Sequence, residues 1–279
     1  MPFEKTCPVC GMNVSIDTII CPYCGSKIGE EKLERILPFL KRDTTPEPVP
    51  LGTFRRIYGV LRYPASTFRD IALRPAKGSF FIIMLFALLN LAFMLIAVSH
   101  IYITETVYVT VGNSTVPQVV DSSILLSNTY GPSGLLIVFG WFIPMLLTII
   151  IIWFIGSFFA WLAYKFAGGT GKYKHTLNMI AFTMVPLLLL RTMFIPILIV
   201  GLPNIQYGGS EYTFDALNTL IVNNPIWGVL NALTAVGLIW AGFLLIFGIR
   251  EVHKTPTLHA VILAIISTAV MIGVFLWAL

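Results

Sequence analysis

Five apolar runs dominate the chain: residues 80–101, 134–164, 177–201, 226–249 and 257–279. Each is long enough for a helix to cross a hydrocarbon core, which takes roughly 20 residues. They predict an all-α polytopic membrane helix bundle over 79–279, with outer loops at 102–133 and 202–225. Ahead of the bundle the pattern turns amphipathic. Phe54, Ile57, Tyr58 and Leu61 recur at spacings of three and four among Arg55, Arg56 and Arg62, which predicts a helix lying in the membrane interface. Pro64 breaks it, and a second short stripe of Phe68, Ile71 and Ala72 follows beside Arg69, Asp70 and Arg74, completing an interfacial region at 53–78. Residues 29–52 read as a short amphipathic helix carrying Leu33, Ile36, Leu37 and Leu40, then an extended linker with Pro46, Pro48 and Pro50. Within the first outer loop the period drops to two. Tyr102, Thr104, Thr106, Tyr108 and Thr110 alternate with Ile103, Val107, Val109 and Val111, predicting a hairpin that turns at Gly112-Asn113.

Composition identifies the solvent of the apolar faces. The chain is 57% hydrophobic and 11% charged, where soluble proteins carry roughly 25% charged residues. Most of its surface therefore meets lipid. Twelve of the eighteen Lys and Arg residues precede position 79. Beside apolar spans, such a segment favours anionic headgroups over nucleic acid as its partner. Loops 102–133 and 202–225 hold no Lys or Arg, while Lys165, Lys172, Lys174, Arg250 and Lys254 occupy the alternate connections. This bias predicts a cytoplasmic N-terminus and, with five spans, an extracytoplasmic C-terminus.

All four cysteines fall in the first 24 residues, as Cys7-Pro8-Val9-Cys10 and Cys21-Pro22-Tyr23-Cys24. Two C-x-x-C pairs supply four thiolates for a closed tetrahedral site, and the glycine after each pair suits the turn that aims amides at sulfur. We expect residues 1–28 to form a zinc ribbon, with one short hairpin between the pairs and Cys7, Cys10, Cys21 and Cys24 as ligands of a structural zinc ion. A closed site leaves no position for substrate or activated water.

Other candidate chemistry is sparse. Arg191 is the single charge well inside a span, about 21 Å along the helix from Leu177 at 1.5 Å per residue. An intramembrane charge is a candidate functional site, and Pro186 and Pro196 free carbonyls that its guanidinium can serve. Asn113-Ser114-Thr115 matches a glycosylation acceptor on the outer side, making Asn113 a candidate modification site. Polar residues in the spans, among them Asn90, Asn178, Thr183, Thr234 and Thr268, are expected to hydrogen-bond between helices. Gly156 with Ala160, Gly237 with Ala241 and Ala269 with Gly273 permit close helix approach, within one chain or in a homo-oligomer. Gly168-Gly169-Thr170-Gly171-Lys172 falls short of a phosphate loop, because Phe166 replaces the first glycine and Tyr173 the final Ser or Thr. No nucleophile, base and oxyanion donor can be assembled from the residue pattern, so an enzyme is not expected.

The order of features resembles the Yip family of five-span membrane proteins, named for interaction with Ypt small GTPases. The resemblance covers 54–279. It is carried by Tyr63-Pro64-Ala65-Ser66-Thr67-Phe68-Arg69, by Gly168-Gly169-Thr170-Gly171-Lys172-Tyr173-Lys174 leading into a span with Pro186, and by the short charged turn 250–255 between the last two spans. It implies a helical bundle with a cytoplasmic N-terminal region. Eukaryotic members act in vesicle traffic, bind GTPases and associate with one another. Here a zinc ribbon stands where their acidic N-terminal stretch would be, which is similar to prokaryotic members. The expectation is a non-enzymatic integral membrane scaffold whose ribbon docks a cytoplasmic protein. The alternative is a small-solute or anion transporter or channel built around Arg191.

Overall fold

The computed structural model describes residues 4–15, 18, 21–26, 28, 36–37, 40, 50–74, 78–111, 114–125, 131–207 and 225–277. Most of the expected 30–40 helix, nearly all of the Pro-rich linker, the Gly112-Asn113 turn with candidate Asn113, and 208–224 lie outside the described residues.

The architecture is mainly helical. Five helical stretches are long and apolar enough to cross a membrane: Gly78–Ser99, Val138–Phe166, Tyr173–Gly201, Pro225–His253 and Thr257–Leu276. In chain order the elements are β1 (Glu4–Thr6), β2 (Asn13–Ser15), α1 (Thr53–Arg62), α2 (Pro64–Leu73), α3 (Gly78–Ser99), β3 (Ile101–Val111), β4 (Ser114–Ser123), α4 (Gly131–Phe166), α5 (Tyr173–Thr183), α6 (Val185–Gly201), β5 (Ile205–Tyr207), α7 (Pro225–His253) and α8 (Thr257–Trp277).

Local chemistry sets several of these limits. Pro64 ends α1 but opens α2, because a proline at the first helical turn loses no hydrogen bond that the helix needs. Pro186 divides the third apolar run. Lacking an N–H, it cannot continue the ladder, so α5 closes on Met184, whose N–H turns back to Ala181 O at 3.2 Å, and α6 starts at Val185. Pro144, in contrast, is carried inside the 36-residue α4.

The chain divides into two compact units. The first comprises 1–83, 151–187 and 236–279. Here α7 and α8 approach closely: a Cβ added at Gly242 would lie 2.0 Å from Thr268 Oγ1. Gly248 likewise leaves room for Met179 of α5, whose Cγ would stand 2.6 Å from an added Cβ. The second unit comprises 84–150 and 188–235. Its core joins Phe93, Ala97 and Val98 of α3 to Phe194 and Leu198 of α6 and to Leu230 of α7. β3 and β4 form the expected antiparallel hairpin, with Tyr102 opposite Ser123 and Val111 opposite Ser114. One strand was not anticipated: β5 pairs in parallel with β3 from Ile101↔Ile205 to Ile103↔Tyr207, giving the order β4-β3-β5.

Two expectations are corrected. Among the described residues, the ribbon hairpin does not lie between the cysteine pairs. β1 precedes Cys7 and pairs with β2 from Thr6↔Asn13 outward, so the strands close around the first pair. Polar residues in the spans mostly bond their own helix instead of a neighbour. Asn90 Nδ2 donates to Phe86 O at 2.8 Å, Thr234 Oγ1 to Leu230 O at 2.8 Å and Thr268 Oγ1 to Ala264 O at 2.7 Å. A short side chain reaches the carbonyl one turn back without help from packing. Ser267, bonded to Tyr164 of α4 at 3.1 Å, is an interhelical case.

Candidate metal centre and buried charges

The two cysteine pairs adopt one repeated turn. Gly11 and Gly25 both have φ +71°, a left-handed conformation that glycine takes without steric cost. Gly11 N donates to Cys7 O at 2.9 Å and Gly25 N to Cys21 O at 2.8 Å. Cys7 N donates to Met12 O at 2.9 Å and Cys21 N to Ser26 O at 2.8 Å, closing each knuckle alike. Cys7 and Cys21 are buried with Val14, and Cys24 and Ile28 pack against them.

The thiols converge. Cys7 Sγ lies 3.7 Å from Cys24 Sγ, Cys10 Sγ lies 3.5 Å from Cys21 Sγ, and the four sulfurs fall within 4.8 Å of one another. Four thiolates bound tetrahedrally at about 2.3 Å from an ion stand about 3.8 Å apart, so the cluster can hold a metal ion. Ser26 Oγ lies 3.1 Å from Cys7 Sγ and 2.9 Å from Cys24 Sγ. Its hydroxyl, with backbone amides, lowers the Cys7 thiol to about 6, and it also lowers Cys24. These groups favour the thiolate form that a metal requires at Cys7 and Cys24, whereas at Cys10 the Met12 amide is outweighed by burial and the neighbouring cysteines, which raise it to about 12.

The second knuckle rests on the membrane domain. A Cβ added at Gly25 would lie 2.7 Å from Lys254 Nζ, whereas one at Gly11 would meet nothing within 4 Å. Lys254 lies in the turn between α7 and α8, with φ 54°. Arg250, fully buried at the end of α7, donates to Leu40 O and to Glu251 Oε1 at 3.1 Å. The N-terminal segment is thereby tied to the end of α7.

Around His253 the glycine-rich turn finds its structural role. Thr170 N donates to His253 O at 3.0 Å, and Thr176 Oγ1 meets His253 Nε2 at 2.9 Å. A Cβ at Gly171 would stand 2.8 Å from both His253 Nδ1 and Val252 O, and one at Gly169 2.7 Å from Tyr164 O. These glycines admit an imidazole and two carbonyls where a phosphate loop would admit an anion.

Arg191 sits in α6 with its guanidinium carbon 5.9 Å from the Phe86 ring centroid and 5.3 Å from that of Phe93. Both rings belong to α3. Arg191 Nε is buried without a hydrogen-bond partner among the described residues. A second charge constellation was not legible from the pattern: Arg56 Nε donates to Asp70 Oδ2 at 2.7 Å, with both side chains buried. Arg56 also donates to Arg74 O at 3.0 Å.

The Yip1 domain model matches residues 58–278. The chain belongs to the Yip1 domain family. It is a multi-pass membrane protein of the Yip type whose five apolar helices contact the bilayer. The Yip1 domain spans the second half of α1 and all of α2 to α8, leaving the cysteine cluster as an N-terminal addition. No curated protein matches the chain. No solved structure matches it either.

Proposed function

We propose that the chain is a non-enzymatic membrane scaffold whose N-terminal ribbon, loaded with structural zinc at Cys7, Cys10, Cys21 and Cys24, docks a protein on the cytoplasmic side. The observation that carries this reading is the unequal surroundings of the two knuckles. The second leans on Lys254 through Gly25, although its Tyr23 is also exposed, while the first has nothing against Gly11 and presents Val9, 71% exposed, with Met12. Val9 and Met12 give the open knuckle an apolar tip that a protein partner can cover. The four-sulfur geometry supports zinc, since thiolates in tetrahedral array suit it and no ligand position is left for chemistry. The Lys and Arg bias of the connecting turns supports the inward N-terminus. Self-association is compatible with Gly156 and Gly273, where an added Cβ would meet nothing within 4 Å. Asn113 then falls on the outer side as a glycosylation site.

The test is affinity purification from native membranes, comparing the intact chain with a Cys21→Ser, Cys24→Ser variant matched for membrane level. The intact protein is expected to carry one zinc per chain and a cytoplasmic partner, and the variant to lose both. Retention of the partner by the variant contradicts docking by the ribbon. A second reading, anion binding within the membrane, is favoured by one observation only, the unpartnered buried Nε of Arg191. Arg191→Met abolishing anion flux in proteoliposomes would support it, and unchanged flux would remove it.

A further inference from the structure

The elbow formed by α1 and α2 has an apolar interior of Val60, Phe68 and Ile71, yet it departs from a helix pair in water at two places. It buries a charge pair, Arg56 at 3% exposure and Asp70 at 1%, while Phe54 at 75% and Tyr58 at 57% face outward. Burying ions is costly and exposing rings forfeits their transfer energy, so the outward face must meet something other than water. Its neighbours identify what. The Phe54 ring packs edge-on against Phe81, with centroids 5.8 Å apart, and Phe81 lies in the first turn of the membrane-crossing α3. Phe80 and Phe81 are themselves exposed on that span, so the aromatic face of α1 continues a surface already turned to lipid.

Where α1 and α3 begin, a groove of about 290 Å³ is lined by Thr53, Phe54, Gly78 and Phe81. The two helix starts touch there, since a Cβ at Gly78 would stand 2.6 Å from Thr53 Cγ2. Charge completes the description. Neither first turn carries an acid, and the single acid of 50–74, Asp70, is neutralised by Arg56. Arg55, Arg62 and Arg74 are exposed. Arg62 additionally donates to the hydroxyls of Tyr58 at 2.9 Å and Tyr63 at 3.1 Å, building an amphipathic belt of rings with polar tips.

We propose that this groove binds an anionic glycerophospholipid of the adjoining leaflet, its acyl chain over Phe54 and Phe81 and its phosphate paired with Arg55 and Arg74. The inference rests on α1, α2 and α3 alone and is independent of any role of the ribbon.

The experiment uses the full chain in nanodiscs of phosphatidylcholine with a minor fraction of phosphatidylglycerol, and reads the retained lipids by native mass spectrometry. The native chain is expected to retain phosphatidylglycerol in excess of its share. Each surface cation near anionic lipid contributes about fivefold in affinity, so Arg55→Gln with Arg74→Gln reduces the enrichment by more than about tenfold. The control Lys172→Gln with Lys174→Gln, identical in charge change, leaves it within about twofold. Equal losses in both variants, or no enrichment in the native chain, overturn the proposal. A photo-reactive amino acid in place of Phe54, with both arginines intact, provides the second readout. Crosslinks to phosphatidylglycerol are expected, and crosslinks to another protein overturn the assignment.

Discussion

Arg56 sits among apolar positions of an amphipathic helix, yet it is the arginine that turns inward. Its guanidinium holds the Asp70 carboxylate at 2.7 Å across the α1–α2 elbow. Removing one partner leaves a buried ion uncompensated, so Arg56→Ala or Asp70→Ala should each destabilise the protein by about 3–5 kcal/mol. The double replacement Arg56→Met, Asp70→Leu should recover most of that loss. Thermal unfolding of the four proteins in detergent measures it, and additive losses would contradict a coupled pair. In the sequence Arg55, Arg56 and Arg62 look alike, because burial depends on a helix crossing fourteen residues away that no local period encodes. The cysteines are the opposite case. Two C-x-x-C spacings with following glycines fix a turn and four ligand atoms within a few residues, so the cluster was legible in the sequence. Arg191 lies between: its presence in a span was visible, but its seat against Phe86 and Phe93 depends on how α6 meets α3.

The glycine-rich turn before α5 shows how an element can mimic a motif for packing reasons. Gly171 faces the Val252 carbonyl, which belongs to the backbone of α7 and cannot swing aside. Gly171→Ala should therefore cost about 1–3 kcal/mol by overpacking. Gly156→Ala, with nothing within 4 Å, should change stability by less than about 0.5 kcal/mol. Equal melting temperatures for the two variants would contradict the packing role. Long elements were readable because each apolar run exceeds any alternative, whereas β5 escaped notice. Three residues, Ile205–Tyr207, carry no period of their own and become a strand only because β3 offers an edge. The helix α4 begins at Gly131 and ends at Phe166, three residues before and two after the apolar run 134–164, since helical hydrogen bonding continues into polar flanks.

At the scale of the molecule, the Yip1 domain supplies five apolar helices and the cysteine cluster is appended ahead of it. Five crossings, with the Lys and Arg bias, carry the proposal that the termini lie on opposite sides of the membrane. Reporter fusions should find residue 1 cytoplasmic and residue 279 extracytoplasmic, and a cytoplasmic signal at both ends would contradict the charge argument. The open first knuckle is proposed to receive a cytoplasmic protein in a metal-dependent way. A photo-reactive amino acid in place of Val9, activated in living cells, tests this. The expected result is a crosslink to one cytoplasmic protein that disappears with Cys21→Ser, Cys24→Ser. Crosslinks confined to lipid or to the chain itself, or a protein adduct unchanged by loss of the cysteines, would contradict it.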